Sequence, residues 1–112
     1  MRVMHLYYGQ AGFLIGDEAG DVLLEYATAL SKRGRSDRVD LRVLGPDGNE
    51  ETAVLLLNPS TMITVETTRS DLEPPGNDEA VARMRSALEA MEATPVVIPA
   101  DAGERGSAID DF

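Results

Sequence analysis

Cysteine is absent from this 112-residue chain, histidine occurs once, at position 5, and lysine once, at position 32. Without cysteine there can be no disulfide, no thiolate nucleophile and no Cys-ligated zinc. Positive charge is scarce: ten Lys and Arg stand against twenty Asp and Glu, a formal net charge of −10. Phosphate neutralisation dominates nucleic-acid affinity, so the balance argues against a nucleic-acid partner. It argues equally against anionic membranes. No apolar run approaches the length that spans a bilayer, and the N-terminus lacks the pattern of a signal peptide. The expectation is a cytoplasmic protein that needs no cofactor, metal or nucleotide. Nine of the ten basic residues are arginine, which points to a GC-rich coding genome.

Aromatic residues are also few: Tyr7, Tyr8, Phe13, Tyr26 and Phe112. The core must therefore rest on Val, Leu, Ile and Met. A chain of this length forms one domain and buries about 60–70% of its unfolded surface. That domain is expected over residues 1–99, with an acidic, small-residue tail over 100–112 too poor in apolar groups to fold.

The strongest pattern lies between residues 39 and 68. Val39, Leu41 and Val43 alternate with Asp40 and Arg42, the period of a half-buried strand. Gly45-Pro46-Asp47-Gly48 supplies turn chemistry, and Ala53-Val54-Leu55-Leu56-Leu57 follows, apolar on both faces. A strand with two apolar faces is usually central, so residues 52–57 are expected in the middle of a three-stranded meander. Its third strand is the β-branched run 62–68, beyond the Asn58-Pro59-Ser60-Thr61 turn. Arg2–Tyr8 reads as a further strand, and residues 13–15 as a short extended piece.

Two helices complete the reading. Ala19, Val22, Leu23, Tyr26, Ala27 and Leu30 form one apolar stripe over residues 18–33. Asp17 is the expected N-cap, and Gly34 the residue past the end. Gly20 inside this helix costs about 1 kcal/mol relative to Ala. Val81, Met84, Leu88 and Met91 form a second stripe over Asp78–Ala93, with Asn77 as its cap. Glu79 with Arg83, and Arg85 with Glu89, are spaced for ion pairs along it. Val96-Val97-Ile98 is a short apolar run between prolines. The fold class is α+β: an antiparallel sheet of 4–5 strands with two amphipathic helices on one face, in the order β(β)αβββα.

Chemistry-bearing residues are sparse. His5 and Tyr7 share a strand face and could form an acid–base pair, with Asp17 beside them in a cleft. Asp17 and Asp21 lie one helical turn apart, but two carboxylates alone make a poor cation site. Glycines 9, 12, 16 and 20 precede or enter the first helix without the Lys-Ser/Thr of a phosphate loop. Lys32, Arg33, Arg35 and Arg38 make the basic cluster of an acidic chain. No residue is singled out as catalytic, cofactor-binding or metal-binding.

The C-terminal tip, Ser107-Ala108-Ile109-Asp110-Asp111-Phe112, combines acid with an apolar Ile and a terminal Phe. These six residues resemble the acidic tails of bacterial single-stranded-DNA-binding proteins, without the proline before Phe. That resemblance implies docking of a protein partner through Ile109, Asp110, Asp111 and Phe112. The expected function is a non-enzymatic protein-interaction or regulatory module, homodimeric through the Met4–Tyr8 strand, with His5, Tyr7 and Tyr8 as candidate contacts. An exposed patch of Leu6, Tyr8 and Phe13 would otherwise be left on a monomer. The alternative is a small-molecule binder or enzyme using a cleft of His5, Tyr7 and Asp17.

Overall fold

The structure is a computed structural model that describes residues 2–93. Seven elements follow in order: β1 (Arg2–Tyr8), β2 (Ala11–Gly16), α1 (Asp17–Lys32), β3 (Asp37–Leu44), β4 (Glu50–Leu57), β5 (Ile63–Arg69) and α2 (Asp78–Ala93). They form one antiparallel five-stranded sheet with two helices, the α+β order read from the sequence. Gly9, at φ 61°, takes the left-handed conformation that the β1–β2 turn needs. The return arm is β2, longer than the three-residue piece expected.

Strand order departs from the meander. It is β4-β3-β2-β1-β5, so β4 is an edge strand and β1 an interior one. β3 and β4 pair along their whole length, from Asp37↔Leu57 to Leu44↔Glu50. β5 does not return to β4. It crosses to the free side of β1 and pairs there from Arg2↔Arg69 to Tyr8↔Ile63. β1 is apolar on both sides and gains two neighbours, β2 and β5. β4 gains one, and only alternate residues of its apolar run are covered: Ala53, Leu55 and Leu57 are buried, while Val54 is 54% and Leu56 53% exposed.

The two parts of the sheet meet at the single pair Leu14↔Leu44. The helices bridge them. α1 packs on β1, β2 and β5, α2 packs on β3, and the two helices pack on each other. One core results, from Met4, Leu6 and Ile15 through Leu23 and Tyr26 to Leu41, Leu55 and Met84. Removing this apolar surface from water is the main drive to the fold, at about 25 cal/mol per Å². Gly20 is explained by the same packing: a side chain there would run into that of Met4, so α1 approaches β1 closely at this point.

Gly34 follows the end of α1 at φ 62°, as expected, but the N-cap is corrected. Gly16, not Asp17, is the N-cap of α1, and no side chain caps it. Asp17 is the first helical residue and accepts a hydrogen bond from the Glu18 N–H at 2.9 Å. The anticipated pairs along α2 give way to tertiary ones: Arg83 reaches Asp37 at 3.3 Å and Arg85 reaches Glu18 at 2.9 Å. A partner on another element was within reach of each guanidinium, and helical spacing could not announce it.

Candidate functional site

The β3–β4 pair has two outer flanks, where the strands face away from each other. Asn77, just before α2, donates to the Arg42 carbonyl at 2.9 Å and accepts from the Arg42 N–H at 2.8 Å. Arg83 donates to the Arg38 carbonyl at 2.8 Å. Even-numbered residues of β3 therefore direct their backbone groups away from β4, and their partners in register, Glu50, Thr52, Val54 and Leu56, direct theirs outward as well. The flank of β3 is met at Arg38 by α2, at Arg42 by Asn77 and at Leu44 by β2.

The flank of β4 is filled at one end only. The Tyr8 hydroxyl donates to the Leu56 carbonyl at 2.9 Å and accepts from the Leu56 N–H at 3.2 Å. Thr61 donates to the same carbonyl at 3.1 Å. Tyr8 pairs with Ile63 at the start of β5, one short turn beyond the end of β4, and from there its hydroxyl reaches Leu56. Among the described residues, the outward backbone groups of Glu50, Thr52 and Val54 meet no such partner. Glu50 pairs with Arg42 across the hairpin. Arg38 binds Asp40 at 3.0 Å. The exposed face of the β3–β4 ribbon thus carries satisfied ion pairs beside Val54 and Leu56.

Alternation along β1 sends Met4, Leu6 and Tyr8 under the helices and turns His5 and Tyr7 to the opposite face. The His5 Nδ1 and the Tyr7 hydroxyl share a hydrogen bond at 3.1 Å, with the rings edge-on at 5.9 Å and 87°. They line a cavity of about 360 Å³ with Phe13, Leu44, Pro46 and Leu72. Asp17 is not part of its lining, so the three-residue cleft is not assembled. Tyr8 serves β4 from the other face. Ile109, Asp110, Asp111 and Phe112 lie outside the described residues, as does the 96–98 run.

The Met4–Tyr8 strand cannot offer a sheet edge, because both its sides are paired. Nor is there an exposed patch, because Leu6 is fully buried, and Tyr8 and Phe13 pack against the core. Among the described residues, no group of three His, Asp or Glu side chains could hold a metal ion. No described helix is long and apolar enough to cross a membrane. The basic cluster is spread out: Arg33 donates to the Met91 carbonyl at the end of α2, and Arg38 turns to Asp40.

One polar tie was not visible in the sequence. The Tyr26 hydroxyl of α1 donates to Asp37 at 2.5 Å, and Arg83 of α2 donates to the same carboxylate oxygen at 3.3 Å. Burial, with help from the carboxylate, pushes the Tyr26 hydroxyl up to about 12. Burial also pushes Asp37 up, but the hydrogen bonds from Tyr26 and the Arg38 N–H, with the Arg83 charge, outweigh it and hold the carboxyl below its ordinary value. The triad pins both helices to the start of β3. Comparison with protein families, with curated proteins and with solved structures returns no match in any of the three.

Proposed function

We propose that this protein is a non-enzymatic interaction or regulatory module that works as a homodimer, joined through the open edge of β4. The observation that carries the reading is the outward ladder at Thr52 and Val54 beside an exposed Val54 and Leu56. Unpaired strand edges with apolar side chains invite a second strand, and proteins usually blunt them when no partner is intended. The other edge strand, β5, carries Thr64, Glu66, Thr67 and Arg69 exposed, which blunts it. A further protein partner docks on the segment Ile109–Phe112, where acid and an aromatic ring coincide. Native mass spectrometry and light scattering test the dimer. The wild-type chain should dimerise at micromolar concentration, and Val54→Lys should be a folded monomer. A wild-type monomer at high micromolar concentration overturns the reading.

A second reading is favoured by one observation, the His5–Tyr7 hydrogen bond inside a largely apolar cavity. Such a site suits a small, mostly apolar molecule with one hydrogen-bonding group. A ligand retained in native mass spectra and lost in His5→Ala would support it. A ligand-free spectrum that stays unchanged in His5→Ala would count against it.

A further inference from the structure

We infer that the homodimer has one register, with a two-fold axis at Thr52 facing Thr52 of a second copy, and that Tyr8 is the residue that selects it. The inference rests on the β4 edge being the dimer interface and goes beyond it by fixing how the two strands align.

The alignment follows from which backbone groups are open. In an antiparallel pair, two residues that both point outward exchange N–H···O=C bonds, and the next such pair lies two residues along each strand. Outward residues on β4 are Glu50, Thr52, Val54 and Leu56, but the N–H and C=O of Leu56 are engaged by the Tyr8 hydroxyl. Placing Thr52 opposite Thr52 also places Glu50 opposite Val54 and Val54 opposite Glu50. All three open residues are used, and Leu56 is left alone.

Every neighbouring two-fold alignment is worse. Sliding toward the N-terminus brings Glu51 opposite Glu51, and one step further Glu50 opposite Glu50. Like charges directly opposite are destabilising. Sliding toward the C-terminus places Leu56 opposite Glu50, or, with Val54 facing Val54, Leu56 opposite Thr52. Both demand backbone groups that Tyr8 already holds. Carboxylates thus close one end of the edge and a tyrosine hydroxyl the other. In the favoured register Glu50 meets Val54, Glu51 meets Ala53, and the central contact is a Thr–Thr pair, a favourable cross-strand combination.

Removing the hydroxyl should release the lock. In Tyr8→Phe the Leu56 N–H becomes free, and its carbonyl, still bonded by Thr61, keeps a second lone pair. The alignment with Val54 facing Val54 then gains three bonded pairs as well, and it covers more apolar surface.

The natural absence of cysteine makes the test direct. Single-cysteine chains Thr52→Cys and Val54→Cys are made in the wild-type and the Tyr8→Phe full chain, and oxidised under dimerising conditions. In the wild-type background Thr52→Cys should cross-link at least ten-fold faster than Val54→Cys. In Tyr8→Phe the preference should reverse or vanish. A dimer in native mass spectra with equal rates at both positions in both backgrounds overturns the register while sparing the interface. A preference for Val54→Cys in the wild-type background does the same. A monomer in native mass spectra overturns the interface and the register together.

Discussion

Leu6 and Leu56 sit in strands of similar apolar content, yet Leu6 is fully buried and Leu56 is 53% exposed. β1 is paired on both sides and lies under α1, whereas β4 is paired on one side and ends at solvent. Two apolar faces along a strand therefore do not by themselves mark the centre of a sheet. In β1 they reflect burial. In β4 the covered residues are Ala53, Leu55 and Leu57, and the intervening Val54 and Leu56 meet solvent.

The contrast is most sharply tested by placing the same charge in each strand. Leu6→Asp should cost more than about 4 kcal/mol and abolish cooperative folding, because a charge would sit unpaired in the core. Leu56→Asp should cost less than about 1 kcal/mol, since the side chain already meets water. Urea titrations of both variants decide it. Equal loss in the two would mean that β4 is covered in the folded monomer.

Next in size is the tie that holds the helices to β3. Tyr26→Phe removes the hydroxyl but leaves Arg83 on Asp37, and should cost about 1.5–3 kcal/mol, the range for a hydrogen bond to a charged group. The pH dependence has two limbs. Asp37 lies below its ordinary value in the folded state, so its contribution is present above the ordinary carboxylate range and is lost as pH falls through and below it. Tyr26, raised to about 12, contributes fully below the ordinary tyrosine value and loses that contribution as pH rises toward about 12. Tyr26→Phe should flatten the alkaline limb and shrink the acid one. Thermal melts across pH would show this, and an unchanged alkaline limb would contradict the assignment.

The smallest effect belongs to the exposed ribbon. Glu50→Gln removes the partner of Arg42, and both side chains are well exposed. The stability change should stay within about 0.5 kcal/mol. A larger loss in a denaturant titration would show that the ribbon depends on its ion pairs.

Much of the fold was legible because it is written in short-range patterns. The stripe from Ala19 to Leu30, the alternation at Val39, Leu41 and Val43, and the turns at Gly9 and Gly45–Gly48 each depend on residues close in sequence. Strand order does not. Whether β5 pairs with β4 or with β1 depends on which ladder best covers the free side of β1, a competition between distant segments. The contacts of Arg83 with Asp37, of Asn77 with Arg42 and of Tyr8 with Leu56 are of the same long-range kind. His5 and Tyr7 were brought together because two residues along one strand share a face. Asp17 was not, because the helix start carries it elsewhere.

The central claim, that β4 is an edge closed at Leu56 and open at Thr52 and Val54, can be read residue by residue from amide hydrogen exchange across a dilution series. Backbone N–H groups of Ala53, Leu55 and Leu57 should be protected at every concentration, and that of Leu56 should change little. Those of Thr52 and Val54 should exchange rapidly in dilute solution and become protected as the protein is concentrated. Exchange at Thr52 and Val54 that is independent of concentration would contradict self-association through this edge.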